Sequence, residues 1–247
     1  MRDGLAGVVL AAGLGTRLRP LTLLRPKALC PVGNVPLVDL ALERVPQSIG
    51  EVAVNIHHGR HRLDDHLHPS VHRSFEDVPL GTAGALGQLR GWLDGRAALV
   101  VNADAWCPGT VADFVEGWDG ERIRLLVVGD DRLTPTSGIA GCLMPWDDIA
   151  PLAAEPTGLY ECSWRGAQES GRIEVVRHDG PFVDCGTPAQ YLAANLATSG
   201  GESVVGDGAQ VEGRIDRCVV WPGAVVVDGE HLTDAIRADK RVTIMVR

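Results

Sequence analysis

Two glycines and several cations crowd the region just after the first apolar run: Val8-Val9-Leu10 is followed by Gly13, Gly15, Arg17, Arg19 and Lys27. A glycine-rich turn leaving a strand lets backbone N–H groups approach a polyphosphate without a Cβ in the way, and nearby cations neutralise it. The stretch Leu10-Ala11-Ala12-Gly13-Leu14-Gly15-Thr16 therefore reads as a nucleotide loop. It is not a Walker A loop, since no G-K-[ST] follows, and Leu18 stands where the third glycine of the dinucleotide fingerprint belongs. Further along, Asp104 and Asp184 each follow a short apolar run. A lone aspartate there is commonly a turn or cap residue, and a lone Arg or Lys a solvated surface charge, so their chemistry depends on context.

Other residue groups point away from chemistry. His57, His58, His61, His66, His68 and His72 include an i, i+4 pair, but no carboxylate or cysteine pattern of a zinc motif accompanies them, which favours a partly exposed helical segment. The six cysteines contain no C-x-x-C pair, so reduced, mostly buried thiols are expected. A net charge of −9 leaves no basic surplus to hold nucleic acid or an anionic membrane, so any phosphate must be met locally. Only Lys27 and Lys240 among the 23 basic residues are lysines. The apolar segment from Gly7 to Ala12 is too short for a signal h-region or a membrane span, and the expected location is cytoplasmic.

The elements that must position these residues alternate. Val8–Leu10, Val52–Ile56, His72–Phe75, Ala98–Asn102, Ile123–Val128 and Gly141–Met144 read as strands. Leu37–Val45, Arg60–Leu67, the run after the loop Pro79-Leu80-Gly81-Thr82 through Leu93, and Thr110–Trp118 read as helices. Strands alternating with helices predict an α/β fold, a Rossmann-like, mainly parallel sheet. Ile173–Arg177 and Phe182-Val183 resemble strands, and Thr187-Pro188 is a helix start with Thr as N-cap and Pro at the first helical position. With 45% hydrophobic residues over 247, the chain can bury a substantial core. Ser199-Gly200-Gly201 marks a composition shift, predicting a catalytic domain over 1–200 and an appendage over 201–247. In the appendage, Val205-Gly206-Asp207-Gly208-Ala209-Gln210-Val211 and Val220-Trp221-Pro222-Gly223-Ala224-Val225 resemble about two rungs of a hexapeptide left-handed β-helix. Two rungs do not stand alone, so the catalytic domain or a second copy of the chain, as a homodimer, should cover the stacking edge.

The run Leu10 to Val38, with Arg25-Pro26-Lys27-Ala28-Leu29-Cys30-Pro31-Val32 inside it, resembles the signature of the sugar-phosphate nucleotidyltransferase family. Leu80-Gly81-Thr82-Ala83-Gly84-Ala85 is similar to the family's L-G-T-A-G-A loop near the base. Val101-Asn102-Ala103-Asp104 is similar to its strand-end metal aspartate, and Val183-Asp184-Cys185-Gly186-Thr187 to the D-x-G-T segment carrying the second metal carboxylate. The four matches fall in family order across about residues 5–198, in the shorter branch that includes mannose-1-phosphate guanylyltransferase-like and N-acetylmuramate-1-phosphate uridylyltransferase proteins.

The resemblance implies an enzyme that joins a sugar 1-phosphate to an NTP and releases pyrophosphate. It implies NTP contacts from Leu10, Ala11, Ala12, Gly13, Gly15, Thr16, Gly81 and Thr82. Arg17 would lie on the leaving pyrophosphate, Lys27 near the reacting phosphates, and Mg2+ on Asp104 and Asp184. The chemistry suits these residue types. A phosphate monoester with a second pKa of about 6 is already largely ionised at neutral pH, so the protein's task is alignment and charge neutralisation. Magnesium takes hard oxygen ligands, often one or two carboxylates plus phosphate oxygens.

One departure stands out: relatives carry an E-K-P segment whose lysine meets the sugar phosphate, whereas Glu155-Pro156 here contains none. That departure keeps a second reading open, a non-catalytic regulatory protein that binds nucleotide sugar. A third is transfer to a non-sugar phosphate such as phosphocholine.

Overall fold

The computed structural model describes residues 4–240 and 242–246; residues 1–3 of the expected catalytic span and Arg241 and Arg247 of the expected appendage lie outside them. The chain divides into two compact units. One comprises Met1–Leu14, Leu40–Ala103 and Cys107–Phe182, the other Gly15–Asp39, Asp104–Trp106 and Val183–Arg247.

The first unit is built on a seven-stranded sheet in the spatial order Ile173–His178, Ile123–Val128, Ile139–Met144, Ala97–Asn102, Leu5–Leu10, Val52–Ile56, His72–Phe75. Leu5–Leu10 runs parallel to both of its neighbours, with Leu10 opposite Asn102 and Asn55. Ile139–Met144 is antiparallel to both of its own, so the sheet is mixed but mainly parallel, as the alternation predicts. The chain winds one way from Leu5–Leu10 to the 52 and 72 strands and the other way to Ala97–Asn102. The carboxyl ends at Leu10 and Asn102 thus flank a topological switch point, where open α/β sheets place ligands. Ala103 N–H donates to Leu10 C=O at 2.9 Å, tying the two ends together.

These strands are apolar on both faces because helices cover them. Leu86, Leu89 and Leu93 of the Gly81–Leu93 helix pack with Val8, Val100, Leu125 and Met144. The opposite side of that helix explains its glycines. A Cβ at Gly81, Gly84 or Gly87 would meet the carbonyl oxygens of Thr157, Glu155 and Ala153 at 2.5, 2.2 and 2.2 Å. The helix therefore lies directly on the 153–157 backbone, an approach only a side-chain-free stripe allows. The Glu155-Pro156 string is held there as backbone.

The expected helix over 110–118 shrinks to one turn, Ala112–Val115. Glu116 is extended and Gly117 left-handed at φ 66°, and Asp119 Oδ1 accepts from the amides of Glu121 and Arg122. Local side-chain bonding of that kind competes with helix.

In the second unit, Pro31–Val32 and Val35–Pro36 form a hairpin whose two turn residues, Gly33 and Asn34, have φ of 59° and 67°. That is the conformation a two-residue hairpin turn requires. The helix Pro188–Thr198 begins as its sequence predicts: Thr187 accepts from Gln190 N–H at 3.3 Å. From this helix Asn195 Oδ1 receives Gly33 N–H at 3.1 Å and Tyr191 O–H donates to Pro31 C=O, fixing the hairpin to the helix.

The C-terminal strands stack as a parallel coil. Val204–Val205, Val219–Val220 and Ala235–Arg237 pair in sequence on one face. Gln210–Val211 pairs with Val225–Val226 on a second face and Arg214–Asp216 with His231–Thr233 on a third. A third rung thus begins where two were expected, and Thr243–Met245 pairs antiparallel with Ala235–Arg237, so that on this one face the edge is covered from within the chain. Trp221, 1% exposed, anchors the coil. Its indole N–H donates to Tyr191 Oη at 2.9 Å and the Arg25 guanidinium lies 4.4 Å from its ring.

Trp221→Ala removes this packing and is expected to cost about 3–5 kcal/mol of stability, the range for a buried aromatic. Chemical denaturation measures it. A loss below about 1 kcal/mol would mean that the tryptophan is not an anchor.

Candidate active site

Asp104 and Asp184 lie eighty positions apart in the sequence and are brought together by a two-residue ladder. Ala105–Trp106 runs antiparallel to Val183–Asp184, with Ala105 opposite Asp184, and Cys185 N–H donates to Asp104 C=O at 3.0 Å. Between the two carboxylates stands one ammonium. Lys27 Nζ is 3.2 Å from Asp104 Oδ2 and 3.7 Å from Asp184 Oδ1. Lys27 opens the short 3-10 helix Lys27–Leu29 and is only 7% exposed. Gly15, left-handed at φ 60°, packs against it: a Cβ there would meet Thr22 at 2.8 Å and the Lys27 Cβ at 3.0 Å. Thr22 Oγ1 in turn donates to Gly15 C=O at 2.9 Å.

Arg17 joins from the Thr16–Leu18 turn, its Nη2 3.6 Å from Asp184 Oδ2. The guanidinium passes so close to Gly186 that a Cβ there would come within 2.7 Å of it. The glycine in Asp184-Cys185-Gly186-Thr187 thus makes room for Arg17, while the threonine caps the next helix. Cys185, between Asp184 and Gly186, is pushed up to about 12 by burial, and Cys30 likewise, so neither thiol ionises at neutral pH. All six cysteines are free, and all but Cys162 are buried.

Two carboxylates suit magnesium better than zinc. Among the described residues no group of three or more His, Cys, Asp or Glu side chains forms a metal cage, and the six histidines are no exception. Magnesium commonly relies on one or two protein carboxylates and takes its remaining oxygens from substrate phosphate. Asp184 Oδ1 is buried and accepts no hydrogen bond, the Lys27 ammonium standing 3.7 Å away, so its lone pairs suit a hard cation.

In the first unit the remaining predicted residues occupy the carboxyl end of the sheet. Leu10 ends its strand, Ala11 and Ala12 are buried, and Gly13 is exposed with nothing within 4 Å of where its Cβ would be. Gly13 is glycine for no packing reason. Gly81 and Thr82 form the first turn of the helix, not a loop, and Thr82 Oγ1 accepts from Leu159 N–H at 2.9 Å. Thr16, in the second unit, is exposed. Trp106 is buried beside the 183–184 strand.

Two residues that the sequence did not single out connect the two segments of the first unit that the sequence predicts to bind nucleotide. Ala11 N–H donates to Asn55 Oδ1 at 2.6 Å, Asn55 Nδ2 to Glu76 Oε1 at 2.7 Å, and Leu80 N–H to Glu76 Oε2 at 2.9 Å. Asn55 and Glu76 are 3% and 2% exposed. The available signal was a polar residue near the end of an otherwise apolar strand, Val52-Ala53-Val54-Asn55-Ile56, since a buried amide must find partners. Asn55→Ala leaves Ala11 N–H and one Glu76 oxygen unpaired. We expect a loss of about 2–3 kcal/mol in denaturation, together with a higher KM for NTP. Unchanged stability and KM would show that the relay positions nothing.

A cavity of about 210 Å³ opens between Leu10, Thr82, Asn102, Leu159, Glu161 and Trp164. It lies at the switch point, small beside the roughly 300–1,000 Å³ of drug-sized sites and suited to one ring.

The first unit is a doubly wound α/β sheet with a glycine-rich first turn, and the second unit holds two aspartates around a buried lysine. The family model described as Nucleotidyl transferase matches residues 6–130. An N-acetylmuramate alpha-1-phosphate uridylyltransferase of Caulobacter vibrioides is 38% identical over 76% of this chain and 94% of its own length. A mannose-1-phosphate guanylyltransferase of Mycobacterium tuberculosis is 31% identical over 51% of this chain and 38% of its own. Among crystal structures, HddC from Yersinia pseudotuberculosis complexed with GMP-PN superposes with a TM-score of 0.61 at 20% identity, over 80% of this chain and all of that one, which shows the shared fold. The chain belongs to the nucleotidyl transferase family.

Proposed function

We propose that this protein transfers a nucleoside monophosphate from an NTP to a sugar 1-phosphate, with Mg2+ as cofactor, forming an NDP-sugar and pyrophosphate. The observation that carries the reading is the placing of Asp104 and Asp184 around the single buried ammonium of Lys27, with Arg17 beside them, in a chain of this family. The acceptor phosphate oxygen attacks the α-phosphorus in line, the bond to the β-phosphate bridging oxygen breaks, and pyrophosphate leaves. Backbone N–H groups of Ala12 to Gly15 bind the NTP phosphates, and the bare Gly13 leaves room for them. Lys27 neutralises charge at the reacting phosphates. Arg17, with its planar fork, holds two oxygens of the leaving pyrophosphate. Asp104 and Asp184 hold the metal, which when bound neutralises phosphate charge and orients the groups. In this reading 1–200 is the catalytic span and 201–247 the appendage that braces the Pro188–Thr198 helix.

The test is pyrophosphate release by the full chain with Mg2+ across a panel of NTPs and acceptor phosphates, phosphocholine included. Turnover with at least one sugar 1-phosphate is expected. Release with phosphocholine alone would replace the acceptor class. The absence of turnover across the panel, with tight binding of an NDP-sugar, would favour the regulatory reading that the lysine-free Glu155-Pro156 segment supports.

A further inference from the structure

Lys27 stands in the middle of a short segment whose two ends rest on the same side chain of the C-terminal coil. At the front end, the Arg25 guanidinium lies 4.4 Å from the Trp221 ring centre. At the back end, Pro31 C=O accepts from Tyr191 O–H, and Tyr191 Oη accepts the Trp221 indole N–H at 2.9 Å. Tyr191 and Trp221 are buried and meet edge to face, their ring centres 6.5 Å apart. Between the two ends the chain bonds mainly to itself: Leu29 N–H donates to Pro26 C=O and Cys30 N–H to Lys27 C=O, each at 2.9 Å. A single 3-10 turn of this kind keeps its own shape but does not fix its place in the molecule. Its flanks must do that.

The flanks are stiff. Arg25 is extended and Pro26, at φ −53°, is locked by its ring, so a displacement of Arg25 is carried to Lys27 with little slack. The indole is equally fixed, since Trp221 N–H donates to Arg237 C=O at 2.8 Å and Trp221 C=O accepts from Ala224 N–H at 3.0 Å. We infer that Arg25, Tyr191 and Trp221 are positioning residues for Lys27, and that the C-terminal coil thereby belongs to the catalytic apparatus. All of these residues lie in the second unit together with Arg17, Asp104 and Asp184. A cation on the face of a desolvated tryptophan is held more firmly than one in water, which suits Arg25 to a clamp. The functional consequence rests on the role proposed above for Lys27: a preorganised charge acts only at its place, and a misplacement of about 1 Å costs on the order of a hundredfold in rate.

Arg25→Gln releases the front end of the segment and Tyr191→Phe the back end, and neither alters Lys27 itself. Each variant, assayed well below its own melting transition, should lose about tenfold in kcat, the cost of roughly half an ångström of displacement. KM for NTP and for the sugar phosphate should stay within about threefold, because the groups proposed to bind them remain. A second measurement needs no turnover. The chain has two lysines, Lys27 and Lys240, so a protein labelled with 13C-lysine gives two ε-methylene signals, and the one absent from the Lys27→Met spectrum is that of Lys27. In the substrate-free Arg25→Gln and Tyr191→Phe proteins this signal should shift while that of Lys240 holds. Residues that only anchor the coil would leave both the Lys27 signal and kcat at their wild-type values, which overturns the inference. A lower kcat with an unmoved Lys27 signal, or a shifted signal with full kcat, overturns it as well. If no substrate is turned over by the wild type, the proposed function fails by itself, and the lysine signal still decides whether the coil places Lys27.

Discussion

Replacing Lys27 by methionine should lower pyrophosphate release by roughly a hundredfold to a thousandfold, the cost of removing one preorganised charge from a transition state that redistributes negative charge. Methionine preserves the unbranched stem and deletes only the cation, so the Gly15 contact with the Lys27 Cβ survives. Stability should change little. The two carboxylates that lose their ammonium are 52% and 38% exposed, and water screens most of their repulsion. Lys27→Arg should not restore the rate, because a planar guanidinium cannot occupy the place of a compact charge 3.2 and 3.7 Å from two separate oxygens. Steady-state kinetics with a melting curve on each variant settles it. A folded Lys27→Met that loses less than about tenfold would remove Lys27 from the reaction.

Asp104→Asn and Asp184→Asn should each lower activity by about a thousandfold at limiting Mg2+, and chelation should abolish it in the wild type. An amide keeps the shape of the carboxylate but loses the charge that attracts a hard cation. The two variants should differ in one respect. Asp184 also faces Arg17 at 3.6 Å, so its amide variant should raise KM for NTP, while Asp104→Asn should act mainly through the metal. Raising Mg2+ should recover part of the activity in either variant. Both variants retaining near-full activity at limiting Mg2+ would place the metal elsewhere or exclude it from the reaction.

Legibility followed the range of the signal. The six main strands, the Gly81–Leu93 helix and the Thr187 cap are written in short windows as apolar runs, helical spacing and a capping threonine, and the structure has them. The expected helix over 110–118 failed because Gly117 and the Asp119 turn compete locally with helical spacing. The third rung was missed because Ala235-Ile236-Arg237 lacks the P-G-A-x-V phrase. It is identified only by its pairing with Val219-Val220.

By itself the sequence determined the class of chemistry, because phosphate handling demands particular residue types, glycine, lysine, arginine and aspartate, in recognisable local settings around Gly13, Lys27, Asp104 and Asp184. Only the tertiary structure decided which of them meet. The Ala105–Trp106 pairing with Val183–Asp184 puts both aspartates on Lys27. The Asn55–Glu76 relay ties Ala11 to Leu80. Partners in such contacts are tens of residues apart and are selected by strand register, burial and the need to satisfy buried polar atoms, conditions that no short window of sequence contains.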